Sequence, residues 1–237
     1  MSAQHCHDGP APAGGGVPAE TPSMPRVMLL GNPNVGKSTL FNALTGARQH
    51  VVNAPGTTIA VAEGTWRCGT TDVSLVDLPG TYSLIARSPD EQVATNAVAR
   101  GDCGVHVAVL DATALSRSLY LLAQLALEDA PVVVAVTMTD LAKARGLGPD
   151  VGALGRVLGV PVVAVNGRSG AGLDALALAV SRSLTRPARV RGLPEFAEDD
   201  AELSTELERA QVLFDWVERV VDEVLPAADA RPTFSDT

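Results

Sequence analysis

One stretch constrains this chain more than any other: Gly31-Asn32-Pro33-Asn34-Val35-Gly36-Lys37-Ser38-Thr39. It fits the phosphate-loop pattern G-x-x-x-x-G-K-[ST], and its flanks fit too. The apolar run Val27-Met28-Leu29-Leu30 before it predicts a buried strand. Leu40-Phe41-Asn42-Ala43-Leu44 after it predicts the first turns of a helix. Strand, glycine-rich loop and helix in that order make a phosphate cradle. Glycines at 31 and 36 let backbone N–H groups close around a phosphate chain, and the helix N-terminus adds partial positive charge. Lys37 then reaches the β- and γ-phosphates, and the Ser38 hydroxyl ligates Mg²⁺.

From Pro25 onward the sequence alternates between strand and helix patterns. Strands are predicted at 26–30, 58–66, 72–76, 105–110, 131–136 and 161–165, and helices at 37–45, 88–99, 116–128, 150–158 and 172–184. The run at 132–136 is continuously apolar, and that at 105–110 is so but for His106, as strands covered on both faces are. The expected fold is α/β: a doubly wound, mostly parallel six-stranded sheet of the Ras-like P-loop type, with ligands beyond the carboxyl ends of the strands. Asp77, Asp111 and Asp140 each fall at or just past a strand end, which gathers them towards that edge.

Residues 1–24, rich in Gly, Pro and Ala, cannot bury a core and are expected to be a disordered tail. Within it, His5-Cys6-His7 supplies three candidate metal ligands and no fourth. The main domain is expected to span 25–186, with a polar linker at 187–200 and a short helical segment at 201–237. A helix at 201–225 carries Leu203, Leu207, Ala210, Phe214, Val217, Val221 and Val224 as one apolar stripe, read as a face packed on the domain. The net charge of −9 argues against a nucleic-acid partner, which calls for a basic face. Cys6, Cys68 and Cys103 are too few and too scattered for a disulfide framework and suit a reducing cytoplasm. No apolar run reaches the ~18 residues needed to cross a bilayer.

Three further motifs complete a nucleotide site. Asp77-Leu78-Pro79-Gly80 follows the apolar strand at 73–76, about forty residues after the phosphate loop. Its carboxylate is suited to hold Mg²⁺ through water, and the Gly80 N–H to contact a γ-phosphate. Between the two lies Asn53-Ala54-Pro55-Gly56-Thr57-Thr58-Ile59, where a threonine completes the Mg²⁺ shell; Thr58 is the choice and Thr57 the alternative. Lys37, Thr58 and Gly80 are thus the residues expected to serve the chemistry. Base recognition is expected after the fifth strand as N-x-x-D, where this chain has Thr137-Met138-Thr139-Asp140. Asp140 can accept hydrogen bonds from the N1–H and 2-amino group of guanine, a pair that adenine does not offer. Thr137 lacks an amide and makes fewer contacts than asparagine would. Asn166-Gly167-Arg168 follows the sixth strand, where a backbone contact to the base belongs.

The segments GNPNVGKSTLFNALTG, NAPGTT, DLPGTYSL with SPDEQVA, and GRSGAGLDAL together resemble the cytoplasmic G domain of ferrous iron transporter B (FeoB). ELERAQVLFDWVERVV resembles the helix ending that family's soluble part, and RPTFSDT the approach to its membrane domain. The resemblance covers about residues 25–237. It implies GTP and GDP as ligands, and GTP hydrolysis coupled to Fe²⁺ uptake. It also implies a permease domain, in the same polypeptide or a separate chain, and a place at the cytoplasmic face of the membrane. A potassium ion ligated by Asn34 is implied as well, and homo-oligomerisation is left open. Thr137, in place of asparagine, and Asn166-Gly167, in place of Ser-Ala, depart from the family pattern. Two rival readings are a free-standing Era-like assembly GTPase, which wants a basic C-terminal domain, and a slow-turnover switch that recruits a partner. Residues 195–237 are acidic, against the first.

Overall fold

The computed structural model describes residues 24–46, 49–54, 59–85, 88–101, 103–194, 196 and 206–226. Seven strands form one sheet: β1 (Arg26–Gly31), β2 (Gln49–Asn53), β3 (Ala60–Cys68), β4 (Thr71–Asp77), β5 (Val105–Asp111), β6 (Val132–Thr137) and β7 (Val162–Ala164). Their spatial order is β2-β3-β4-β1-β5-β6-β7. From β4 to β7 every pairing is parallel, while β3 runs antiparallel to both β4 and β2. The expected doubly wound sheet is present with one strand more than the six expected. The addition is β2, whose residues are exposed except for half-buried Val52. An edge strand with little burial carries little apolar pattern, so periodicity does not disclose it.

Apart from Arg26, His106 and the polar residues at their carboxyl ends, the central strands are apolar, yet they sort their side chains by face. Val27, Leu29, Val105, Val107, Val109, Val133 and Ala135 pack with Leu40 and Phe41 of α1 (Lys37–Thr45) and Leu176 and Val180 of α6 (Leu173–Thr185). Met28, Leu30, Ala108, Leu110, Val132, Val134 and Val136 face the opposite layer. That layer comprises α2 (Pro89–Ala99), α3 (Leu115–Leu127), α4 (Thr139–Ala144), α5 (Val151–Leu158) and α7 (Glu206–Val224). Local chemistry sets two helix starts. Ser88 accepts a hydrogen bond from the Glu91 N–H with Pro89 at the first turn, and Asp150 accepts from Gly152 and Ala153. Those two N–H bonds, the Ala153 one foremost, hold the Asp150 carboxyl below the usual range.

The last helix packs on α3 and α5, as expected, with a face that keeps Val217 and Val224 of the expected stripe buried and Ala210 and Val221 half-buried. Leu213, Trp216, Val217, Val220 and Val224 are its buried residues. Leu207 is 78% exposed and Phe214 48% exposed, so the predicted stripe fails over its first half, where Leu213 and Trp216 turn inward instead; Leu203 lies outside the described residues. Both registers recur every three to four residues. The larger indole of Trp216 gains most by burial, and it takes the inner position. Phe214 instead stacks on Tyr120 at the rim, with ring centroids 4.5 Å apart. The segment after α6 is strapped to the sheet by the Val132 N–H donating to the Ala188 carbonyl (2.8 Å) and to the end of α5 by the Arg191 N–H donating to the Leu158 carbonyl (2.9 Å).

Candidate functional site

The phosphate loop leaves β1 at Gly31, where an added Cβ would lie 2.6 Å from the Val109 carbonyl oxygen, so only glycine allows β1 and β5 to pair this closely. Asn34 (φ 65°) and Gly36 (φ 91°) are left-handed and turn the loop back on itself. Helix α1 then begins directly at Lys37 with no side chain capping it, and Leu40 N–H makes a bond to the Gly36 carbonyl (2.9 Å). The free N–H groups of its first turn are the donors a bound phosphate would satisfy.

Beside the loop, the Ser38 hydroxyl donates to Asp77 Oδ2 (3.0 Å), while Asp77 Oδ1 is buried with no hydrogen-bond partner. Lys37 is only 7% exposed. Burial holds its ammonium below the usual amine range, against the opposing pull of Asp77. Burial likewise raises the Asp77 carboxyl above its usual range, opposed by the Lys37 charge and the Ser38 hydrogen bond. Both groups are thus placed where water solvates them poorly and another charge would improve their surroundings.

The D-x-x-G segment is stitched to the phosphate loop. Leu78 N–H donates to Leu29 (3.2 Å), Thr81 N–H to Gly31 (3.3 Å), and the buried Asn32 amide to the Thr81 carbonyl (3.2 Å). Gly80 lies against Pro33: an added Cβ would sit 2.9 Å from the proline Cα. Thr81 is buried and its hydroxyl donates to the Ser83 carbonyl. Gln124 of α3 holds the next turn, accepting from Leu84 N–H (2.9 Å) and donating to the Ser83 hydroxyl (3.1 Å). Lys37, Ser38, Ala60, Asp77 and Gly80 line an open cavity of about 340 Å³ at this end of the site. Thr57, Thr58 and Arg87, which lies close enough in sequence to be considered as an arginine finger, fall outside the described residues.

A second cavity of about 270 Å³ opens on the other side of the loop. Val35, Gly36 and Thr39 form one wall, Thr137, Met138, Asp140 and Leu141 another, and Asn166, Gly167 and Arg168 a third. Met138 is left-handed (φ 54°), which turns the chain from β6 into α4 and brings Asp140 to the rim. Asn166 Oδ1 accepts from Arg168 N–H (2.9 Å) and Ser169 N–H (3.1 Å), fixing the third loop. Gly167 backs onto α1, where an added Cβ would lie 3.1 Å from the Thr39 carbonyl oxygen. Thr137 is buried, and its hydroxyl donates to Val35 (2.8 Å) and Leu110 (3.0 Å) carbonyls.

The structure therefore brings together all the described residues expected in the site. Asp111 lies at the same edge, as expected, in register with Thr137 at the end of β5, but its carboxylate accepts from the N–H (2.8 Å) and hydroxyl (2.7 Å) of Thr113 and caps a short turn rather than lining either cavity. Sequence reading missed Leu141 and Val165 as cavity walls and Asn32 as the link to Thr81. No local pattern in the sequence marks any of the three for these roles. Among the described residues no group of His, Cys, Asp and Glu forms a metal cluster, and no helix is long and apolar enough to cross a membrane.

A phosphate cradle and a base-sized cavity that open from one sheet edge and share a single loop place this chain among the P-loop GTPases. Within that class it belongs to the FeoB N-terminal family: the family described as "Ferrous iron transport protein B" matches residues 25–180. The Fe(2+) transporter FeoB of Salmonella typhimurium is 46% identical over 158 residues, covering 65% of this chain and 20% of the relative. FeoB of Escherichia coli K12 is 44% identical over the same shares. The chain thus spans about a fifth of the length of these relatives. Among solved structures, the cytosolic domain of T. maritima FeoB in its GMPPNP form superposes with a TM-score of 0.77 at 30% identity, covering 86% of this chain and all of that one (100%). The G domain of Methanococcus jannaschii FeoB gives 0.60 at 39% identity, covering 68% of this chain and 98% of that one.

Proposed function

We propose that this chain binds GDP and GTP, hydrolyses GTP in the presence of Mg²⁺ and, joined to a membrane permease domain of the same polypeptide, couples that cycle to ferrous iron uptake at the cytoplasmic face of the membrane. The observation that carries the reading is the Ser38–Asp77 pair beside buried Lys37, with Asp77 Oδ1 buried and unpartnered. A buried, unsatisfied carboxylate oxygen costs free energy unless a ligand or cation meets it. Hard oxygen donors in this pairing suit Mg²⁺, with Ser38 and Asp77 holding it and Thr58 as the third candidate. When bound, the ion would offset negative charge on the β- and γ-phosphate oxygens.

The chain's own groups supply the rest. Lys37 and the first-turn N–H groups of α1 hold the phosphates, and Gly80 presents its N–H beside Pro33, where a γ-phosphate would be sensed. Asp140 accepts from the guanine N1–H and 2-amino group, and the Asn166-Gly167-Arg168 loop closes the base pocket. Thr81, turned away to Ser83, cannot orient an attacking water as a glutamine does. Unassisted turnover is therefore expected at roughly 10⁻⁴–10⁻³ s⁻¹, the range of the unassisted Ras enzyme. Asn34, exposed at the loop tip, offers an amide oxygen to a potassium ion that would relieve charge between the β- and γ-phosphates. In this reading residues 25–186 are the G domain, 187–200 the connection and 201–237 the helical segment leading towards the permease.

Phosphate release from GTP, with ATP as control, in potassium against sodium salts tests the proposal. Expected are GTP-selective release, faster in potassium, and loss of the potassium effect in Asn34→Ala. No Mg²⁺-dependent release from GTP in either salt would refute the hydrolytic reading, and equal rates would refute the role of potassium.

A further inference from the structure

We propose that the base pocket leaves the N7 edge of guanine unread, so that it accepts guanine nucleotides whether or not position 7 carries a hydrogen-bond acceptor. This rests on the guanine-nucleotide reading above and specifies which part of the base the site reads.

A nucleotide is fixed in this site at two points. Its phosphates lie in the loop at 31–38, and its N1–H and 2-amino group face Asp140. The five-membered ring, which carries the sugar, then lies on the side of the pocket nearest the phosphate loop. Val35 and Gly36 wall that side, and Thr137 of the adjoining wall meets them through its bond to the Val35 carbonyl. N7 has a lone pair and no hydrogen, so reading it takes a donor. Of the two hydroxyls that line this part of the pocket, Thr39 stands in the first turn of α1, the turn given above to the phosphates, which leaves the Thr137 hydroxyl as the side-chain donor for N7.

That hydroxyl has one proton, already directed at two carbonyls: Val35 at 2.8 Å and Leu110 at 3.0 Å. Thr137 is 7% exposed, and Val35 3%. Turning the proton to N7 would gain one hydrogen bond and give up the two contacts it makes to these carbonyls. The oxygen's remaining lone pairs would only repel N7. Thr137 also lays its methyl carbon near Gly36, 3.9 Å from where a Cβ would stand there. The wall therefore presents carbon to the five-membered ring. An asparagine at 137 has two N–H bonds, so one can hold a carbonyl while the other donates to the base.

Competition of GDP, 7-deaza-GDP and ADP against a fluorescent GDP analogue tests this on the whole chain and on Thr137→Asn. In the wild type, 7-deaza-GDP is expected to bind within about threefold of GDP. In T137N that ratio is expected to rise to about five- to tenfold, because a donor meets carbon instead of nitrogen. A wild-type ratio above about threefold would overturn the proposal. An unchanged ratio in a T137N protein that still binds GDP would overturn the assignment of position 137 to the N7 edge. If T137N fails to fold, the wild-type ratio alone decides. ADP binding as tightly as GDP would instead defeat the underlying guanine reading, so the two failures are distinguishable.

Discussion

Gly80 rests so closely on Pro33 that a methyl group on it would meet the proline Cα at 2.9 Å and its nitrogen at 3.0 Å. Both atoms are backbone, so neither can yield as a flexible side chain would. The glycine that follows the Asp77 strand is thereby held to the phosphate loop. Gly80→Ala must push the segment away from a γ-phosphate while leaving the base pocket, on the other side of the loop, intact. GDP affinity should stay within about threefold of wild type, whereas single-turnover GTP hydrolysis should fall by about a hundredfold, on the scale of losing one preorganised donor. A G80A protein with wild-type hydrolysis would show that the glycine's closeness serves packing alone.

Lys37 is the buried cation of the cradle. Lys37→Ala should lose triphosphate binding by about 2–5 kcal/mol, the usual cost of removing one partner from a buried charge contact, with an unchanged circular dichroism spectrum. Titration calorimetry with a non-hydrolysable GTP analogue reads it directly. Unchanged affinity would remove the phosphate-loop assignment.

Asp77 gives the ligand-free protein a pH signature. Its carboxyl is raised above the ordinary 3.8, mainly by burial, so the folded state binds more protons than the unfolded state between that value and the raised one. Stability should therefore decline as pH rises through this window, and be relieved by acid. Urea unfolding at a series of pH values, wild type minus Asp77→Asn, isolates the contribution. The difference should grow towards neutral pH with D77N the more stable protein. A difference that shrinks as pH rises would reverse the sign argued here.

On α7, the buried indole and the rim phenyl make opposite predictions. Trp216→Ala should cost about 3–5 kcal/mol of unfolding free energy, as large buried aromatics do. Phe214→Ala should cost about 0.5–1.5 kcal/mol, the worth of an aromatic pair at a half-exposed site. Comparable losses in the two variants would mean that the helix sits in the other register.

Much of this was legible in the sequence, for reasons that differ by residue. The loop at 31–39 carries its chemistry in consecutive positions, and the runs at 105–110 and 132–136 are, His106 apart, apolar on both faces, so a covered parallel sheet follows without tertiary information. Strand β2 was not legible, because Gln49–Asn53 buries almost nothing. Helix α4, six residues long, is too short to show a period. The phase of α7 depends on which neighbours receive Trp216, and two registers fit the spacing equally. The fate of the Thr137 proton depends on carbonyls 102 and 27 residues away in sequence. No local pattern records that.

The central claim is that one loop holds phosphates while Asp140 selects guanine. Its most direct measurement is the dissociation constant of GDP against ADP, by calorimetry with Mg²⁺, for wild type and Asp140→Ala. The wild type should prefer GDP by at least about a hundredfold, since a mismatched base leaves polar groups unpaired, and D140A should lose most of that preference. Equal binding of the two nucleotides by the wild type, or a preference that survives in D140A, would contradict it.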